Sequence, residues 1–323
     1  MTIVADIKRD GLDAVTRYSL ELDGIAPSRA TPDTSELPAD ELLALARRVR
    51  QWHEAQRPAD ITLEIEPGVV LQRRWVPLET VGIYVPRRLV SSLVMCAVPA
   101  LAAGVKRIVV CTPPEGAGLV AGVASLLGID EVWALGGPQA IGFLAYVERV
   151  DKIVGPGNGF VNDAKLEVSR DVAIDLPAGP SEIVVLGDGD PRVVELELAA
   201  QREHGHAAVC TVVGTLEEAE AIAPEHLVLL GEAERFADDV RNAGAVFVGP
   251  WSPVAAGDYA TGGNHVLPTN GWARAIGGLG LETFLKPVTV QRLTEDGLAL
   301  VRPTVEALAA VEGMPAHAAA VRR

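Results

Sequence analysis

Aromatic residues make up only 4% of this 323-residue chain, and methionine and cysteine occur three times each. The interior must therefore be filled by Val, Leu, Ile and Ala within a hydrophobic share of 49%, as in layered α/β proteins. Cys96, Cys111 and Cys210 are odd in number and lie in apolar runs, which reads as buried free thiols in a reducing cytoplasm rather than disulfides. Positive charge is scarce as well. With 28 Lys and Arg against 43 Asp and Glu, the net charge is −15, and the acids are scattered. Nucleic acid and anionic membrane both require a cationic face, so neither is an expected partner. No apolar run is long enough to span a bilayer, and MTIVADIKRDGLDAV reads as an amphipathic helix rather than a signal peptide. The chain also lacks a G-x-G-x-x-G fingerprint, an internal repeat, a low-complexity block and a long linker.

What the chain does have is alternation. Its length favours two α/β lobes with smaller pieces. Helix-period patterns cover 3–19 and 38–56, followed by two strand-like runs, ITLEIE and VVLQRRWVPL. From Val81 onward, the β-branched runs VGIYV, RIVVCT, EVWAL, KIVG, VAIDL and EIVVLG are mostly separated by helical patterns. A second series follows: a helix at RVVELELAAQREH, the strand AAVCTVVG, the helix TLEEAEAI, the strand HLVLLG, a helix to about Asn242, and the strand AVFVG. Such alternation predicts β-α-β units and a mainly parallel sheet covered on both faces. After the strand-like VTVQRL, the end of the chain reads as a helical tail.

In open α/β sheets, ligands sit beyond the carboxyl ends of the strands. The turns GGPQA (136–140), GPGNGF (155–160), PAGPSE (177–182) and GDYATGGNH (257–265) have that placement, and their glycines allow a backbone to approach a ligand closely. Of six histidines, four stand beside other polar candidates: His204, His226, His265 and His317. Gln201 and His204, three apart near the end of a helical pattern, could share a ligand, with Asp258 supplying a carboxylate from a glycine-rich loop. His204 reads equally as a helix C-cap. His53 is expected on an exposed helix face and His206 in solvent, neither with a function.

GIYVP, VDKIVGPGN, AGPSE, QREHG, PEHL, AGDYATGGNHVLPT and EGMPAH occur in the order, and nearly the form, seen in histidinol dehydrogenases. The resemblance runs from about Val4 to Val321. It implies an α/β fold of two incomplete Rossmann-like domains, with doubly wound, mainly parallel sheets, plus a C-terminal helical arm. The first domain is expected at 1–83 and 183–270, the second, on the NAD side, at 84–182, and a dimerisation arm at 271–323. It further implies a homodimer in which each arm completes the partner's site, with one Zn2+ per site and NAD+ as the hydride acceptor. The implied reaction is four-electron oxidation of L-histidinol, through L-histidinal, to L-histidine.

By the same resemblance, Gln201, His204, Asp258 and His317 are the zinc ligands, His317 coming from the partner. Substrate contacts fall to Ser181 and Glu312 and to Gln201, His204, His226, Asp258 and His317. Tyr84, Gln139 and Asn158 match NAD positions. Glu225 and His226 match the catalytic acid–base pair, aimed into one pocket by the turn at Pro224.

The chain also departs from the family pattern. It is short before Val4 and between His204 and Glu225, where about one strand–helix unit is missing, and AYVERVDKI is trimmed. Arg87 and Arg88 stand where the family usually has two glycines, a change expected to resist positive φ and close cofactor approach. Two further readings stay open: a related oxidoreductase for another polar primary alcohol, and a zinc-binding paralogue without turnover.

Overall fold

The computed structural model describes residues 2–176 and 179–322, so the first two residues of the PAGPSE turn lie outside the described residues. The strands in chain order are β1 (Ser28–Arg29), β2 (Ile61–Glu66), β3 (Val69–Pro77), β4 (Thr80–Tyr84), β5 (Arg107–Thr112), β6 (Val132–Ala134) and β7 (Lys152–Val154). They continue with β8 (Ala173–Ile174), β9 (Glu182–Gly187), β10 (Val209–Val213), β11 (His226–Leu230), β12 (Ala245–Val248) and β13 (Leu285–Leu293). The helices are α1 (Ile3–Asp10), α2 (Leu12–Leu22), α3 (Ala39–Glu54), α4 (Val90–Ala103), α5 (Ala117–Leu126) and α6 (Gly137–Gly142). After them come α7 (Gly159–Val168), α8 (Pro191–Arg202), α9 (Leu216–Ile222), α10 (Val254–Tyr259), α11 (Glu295–Val311) and α12 (Pro315–Ala320).

Two compact units are present. The larger comprises the chain up to Arg57 together with Leu78–Phe284. It holds a six-stranded sheet in the order β1-β6-β5-β4-β7-β8 and a four-stranded sheet in the order β10-β9-β11-β12. All pairings are parallel except β1 with β6. The β-branched runs form these strands because a sheet buried on both faces rewards continuous Val, Ile and Leu. In β11, all five residues are buried. The fold is thus mixed α/β with two incomplete, doubly wound, mainly parallel sheets.

The expected partition is corrected in two places. The described residues up to 83 do not form one body with the four-stranded sheet: β4 is central in the six-stranded one, and Val4, Ile7, Ala14 and Val15 pack into its core beside Phe143 and Leu144, whereas α3 meets the chain after β12, with His53 against Asn264. Amphipathic helices follow the nearest unfilled apolar face. The smaller unit contains Pro58–Pro77 together with the chain from Leu285, so it does not begin at residue 271. Here β13 pairs antiparallel with β3 along its whole length, and β2 pairs on the other side of β3. Helices α11 and α12 follow, the first opened by Thr294, whose side chain accepts from the Gly297 N–H.

Local departures have simple causes. The single helix expected over 3–19 breaks at Gly11, which has φ +61°. The helix expected up to Asn242 is only a 3-10 stretch at Gly231–Phe236. His53 is fully buried rather than exposed: its Nδ1 lies 2.7 Å from the Val49 carbonyl and its Nε2 3.3 Å from the Asn264 amide.

Candidate active site at the start of two parallel strands

Strands β9 and β11 are parallel neighbours with His226 opposite Ile183, so the residues entering both strands meet at the same sheet edge. Ser181 and Glu182 arrive from one side, Glu225 and His226 from the other. This is the amino end of the four-stranded sheet, not the carboxyl end that open α/β folds usually employ. Ala223 makes the approach possible by adopting the left-handed region at φ +53°, the kind of local backbone strain that clusters at functional sites. The Pro224 and Glu225 carbonyls then accept from Gly244 and Ala245, which locks the turn.

Glu225 Oε2 accepts from the Ser181 hydroxyl at 2.6 Å and from the Glu182 N–H at 2.9 Å. Burial nevertheless dominates and pushes its carboxyl up to about 6, against the lowering by the Ser181 bond. His226 Nδ1 lies 3.1 Å from the Glu182 carbonyl oxygen. A carbonyl only accepts, so Nδ1 carries the hydrogen and Nε2 is left with a bare lone pair. That Nε2 is buried without a hydrogen-bond partner, 4.0 Å from Asp258 Oδ1. Burial also holds the imidazole below its usual pKa, so it is neutral at pH 7. Leaving a buried polar atom unmatched costs about 1–3 kcal/mol, which marks the spot as one made for a ligand.

Helix α8 brings Gln201 to the same place, where its Nε2 donates to Ser181 Oγ at 2.9 Å. Asp258 sits near the end of α10 and faces a cavity of about 600 Å³ shared with Trp52, Phe247, Thr261 and Leu267. Burial lifts its carboxyl to about 6, opposed by His226. The sequence reading missed two carboxylates here. Glu197, four residues before Gln201 and so on the same face of α8, accepts from the Val254 N–H and ties α8 to the start of α10. Glu182 accepts from the Asn270 N–H at 2.5 Å. An acid and an amide at helical spacing were the legible signal for Glu197.

His204 lies past the end of α8 in an exposed turn, so it does not share Gln201's buried face. Among the described residues, no three His, Cys, Asp or Glu side chains are grouped closely enough to hold a metal ion. One chain offers the buried Asp258 carboxylate, the Gln201 amide and, nearby, His204. Apart from His226, the Asp258 carboxylate has no polar partner among the described residues. A buried, unneutralised carboxylate beside a bare imidazole nitrogen and an amide is a donor set that fits a borderline cation such as Zn2+ as part of a shell. Glu312 and His317 belong to the smaller unit and are exposed.

A second group forms at the carboxyl end of the six-stranded sheet. Tyr84 ends β4, is buried, and accepts from the Gly137 N–H at 3.3 Å; burial raises its phenol to about 12. Gln139 lies buried in α6, its Nε2 donating to Asp23 and its Oε1 unmatched. Asn158 follows β7 and caps α7 by accepting from Val161 N–H. Arg88 adopts φ +56° despite its side chain, so the expected resistance to positive φ does not hold at this position. Arg87 pairs with Glu115 at 2.7 Å and Arg88 with Glu36 at 3.5 Å, all exposed.

Comparisons with known proteins bear on the family and the fold. A family model described as histidinol dehydrogenase matches residues 1–220 and 215–323. The chain is 37% identical to the histidinol dehydrogenase of Methanosarcina barkeri (strain Fusaro / DSM 804) over 390 positions, covering 99% of this chain and 90% of that protein. It is 38% identical to that of Gluconobacter oxydans (strain 621H), covering 98% and 90%. Both alignments run over more positions than this chain has residues, so the relatives carry segments without a counterpart here. The crystal structure of histidinol dehydrogenase from Elizabethkingia anophelis superposes with a TM-score of 0.89 at 32% identity, over 99% of this chain and 89% of that one. The chain belongs to the histidinol dehydrogenase family.

Proposed function

We propose that this protein is a zinc-dependent, NAD+-linked oxidoreductase converting L-histidinol, through L-histidinal, to L-histidine. The observation that carries this reading is the pair at the start of β11: a neutral His226 with a bare, buried Nε2 beside a Glu225 whose carboxyl is poised near 6. His226 takes the proton of the substrate hydroxyl at Nε2, and its Nδ1–H, held by the Glu182 carbonyl, fixes the ring for that task. Glu225, ionised, then draws a proton from the water that attacks the aldehyde. Ser181 orients Glu225 and is itself oriented by Gln201.

Gln201, His204 and Asp258, with His317 of a second copy, would hold one zinc ion, which supplies a template for the substrate's amine and imidazole. Glu312 of the second copy would meet the same cationic substrate. Tyr84, Gln139 and Asn158 would hold NAD+, the acceptor of both hydrides. A homodimer is part of this reading and is supported by apolar surface on the smaller unit: Ile61, Leu63 and Ile65 alternate along β2 at 52–56% exposure, and Val311 is 86% exposed. A cytoplasmic setting is supported by three unpaired cysteines. Among the described residues, no helix is long and apolar enough to cross a membrane. Arg87 and Arg88 are already paired with carboxylates, which disfavours a switch to an anionic alcohol.

The test is NADH production from L-histidinol by the zinc-loaded protein. Two NADH per histidine formed is the expected result, and a zinc-loaded protein that yields none overturns the assignment.

A further inference from the structure

Lys165 and Asp175 form an ion pair of 2.5 Å whose side chains are 2% and 1% exposed. Removing two charges from water is expensive, and an apolar pair of similar size is often as stable or more so. Stability alone therefore does not account for this pair. What it does locally is hold the two successive peptide units that flank the Gly155 Cα. Lys165 Nζ donates to the Gly155 carbonyl at 2.9 Å, and Asp175 Oδ2 accepts from the Gly155 N–H at 2.7 Å. Gly155 has φ +109° and lies so close to Tyr84 that a Cβ there would come within 2.1 Å of the Tyr84 carbonyl oxygen. Asp175 Oδ1 also accepts from the Leu176 N–H, and Asn162 Nδ2 donates to the Gly157 carbonyl. The turn from Gly155 to Asn158 is thus pinned at Gly155 by the ion pair, at Gly157 by Asn162, and at Asn158 by the cap on α7.

We propose that Lys165 and Asp175 are positioning residues for NAD+: by fixing the peptides on both sides of Gly155 against Tyr84 they hold the GPGN turn in the one arrangement that brings Asn158 to the cofactor beside Tyr84. This rests on the reading of Tyr84, Gln139 and Asn158 as the NAD+ site. Neither charged group touches the cofactor; both are buried and act through the backbone. Without the pair, Gly155 is free to leave positive φ, since glycine occupies both sides of the map with similar ease. The turn then has to be reordered each time NAD+ binds.

The full-length, zinc-loaded protein is the material for the test. Lys165→Met and Asp175→Asn each leave a buried partner unmatched and risk misfolding, so the double variant Lys165→Met/Asp175→Leu, which removes both charges together, is the informative one. Its KM and directly titrated Kd for NAD+ are expected to rise about tenfold or more, while the KM for histidinol and the histidinol-induced thermal shift change less than about twofold. Amide exchange at 155–161 is expected to quicken in parallel. A folded double variant that binds NAD+ as the parent does overturns the proposal. So does one in which NAD+ and histidinol constants worsen together, because that is the mark of a merely structural role. A parent that binds no NAD+ before any substitution overturns the functional reading and this proposal with it, and is told apart by that control.

Discussion

At the residue scale, the proposed chemistry turns on two buried groups, Glu225 and His226, whose pKa values are shifted chiefly by burial. Glu225 titrates at about 6 against a usual 4.5, because burial disfavours the charge. Water activation needs the carboxylate, so NADH formation is expected to fall as pH drops below about 6. Stability moves the other way: the folded state binds that proton more tightly than the unfolded chain. The contribution is therefore full below 4.5 and is lost as pH rises through 6.

Ser181→Ala removes the hydrogen bond that opposes burial and is expected to move the acid limb of the rate profile upward, which a pH series of NADH formation reads directly. Glu225→Gln is expected to lower conversion of the aldehyde by about 10²–10⁴-fold while sparing the first hydride transfer, so aldehyde accumulates and the NADH yield per substrate halves. Asp258 must lose a proton, held to about 6, before it can bind a cation. Zinc affinity, followed by competition with a chromophoric chelator, is expected to fall about tenfold per pH unit below that point.

At the scale of the element, Arg88 offers a sharp test of backbone against side chain. It sits at φ +56°, where glycine is more comfortable, and its ion pair with Glu36 is exposed and therefore contributes little. Arg88→Gly is expected to change stability by no more than about +1 kcal/mol, in the favourable direction, which thermal unfolding would show as a modest rise in Tm. Elements built on local signals were legible in the sequence: β5 and β9 from their β-branched runs, β11 from its continuous apolar run, and α9 from Thr215 and Glu218, which form a capping box.

Elements and residues that depend on distant partners were not legible. His53 is buried because Asn264, 211 residues away, meets its ring, and nothing in the helix around it announces that contact. The identities of Glu225, His226 and Asp258, and the place of the first two at the start of a strand, were visible in the sequence, but the meeting of that strand's start with Ser181 and Glu182 was not. It arises from the pairing of β9 with β11, a long-range choice. Gln201 and His204 looked equivalent by spacing, and only the end of α8 at Arg202 separates them into a buried and an exposed residue.

At the scale of the whole molecule, the reading requires two copies. The residues expected to complete the site, Glu312 and His317, lie in the unit built from β2, β3, β13, α11 and α12. Variants His226→Ala and His317→Ala are expected to be inactive alone, since each spoils every site of its own homodimer. Co-expressed, they are expected to recover activity, because a mixed dimer carries one site with both histidines intact. Recovery is measured as NADH formation by the purified mixed dimer.

The family model matches this chain in two pieces that overlap at residues 215–220, between β10 and β11. In the structure β11 is hydrogen-bonded to β9 rather than to β10, and β10 is an edge strand with Val209 and Val212 about half exposed. The path from β10 to β11 therefore only has to travel back over β9, and its length is not dictated by either terminus. Lineages can shed or acquire whole segments on that return path while α8 and the turn at Pro224 keep their coordinates, so the size of such a protein can drift independently of its catalytic apparatus.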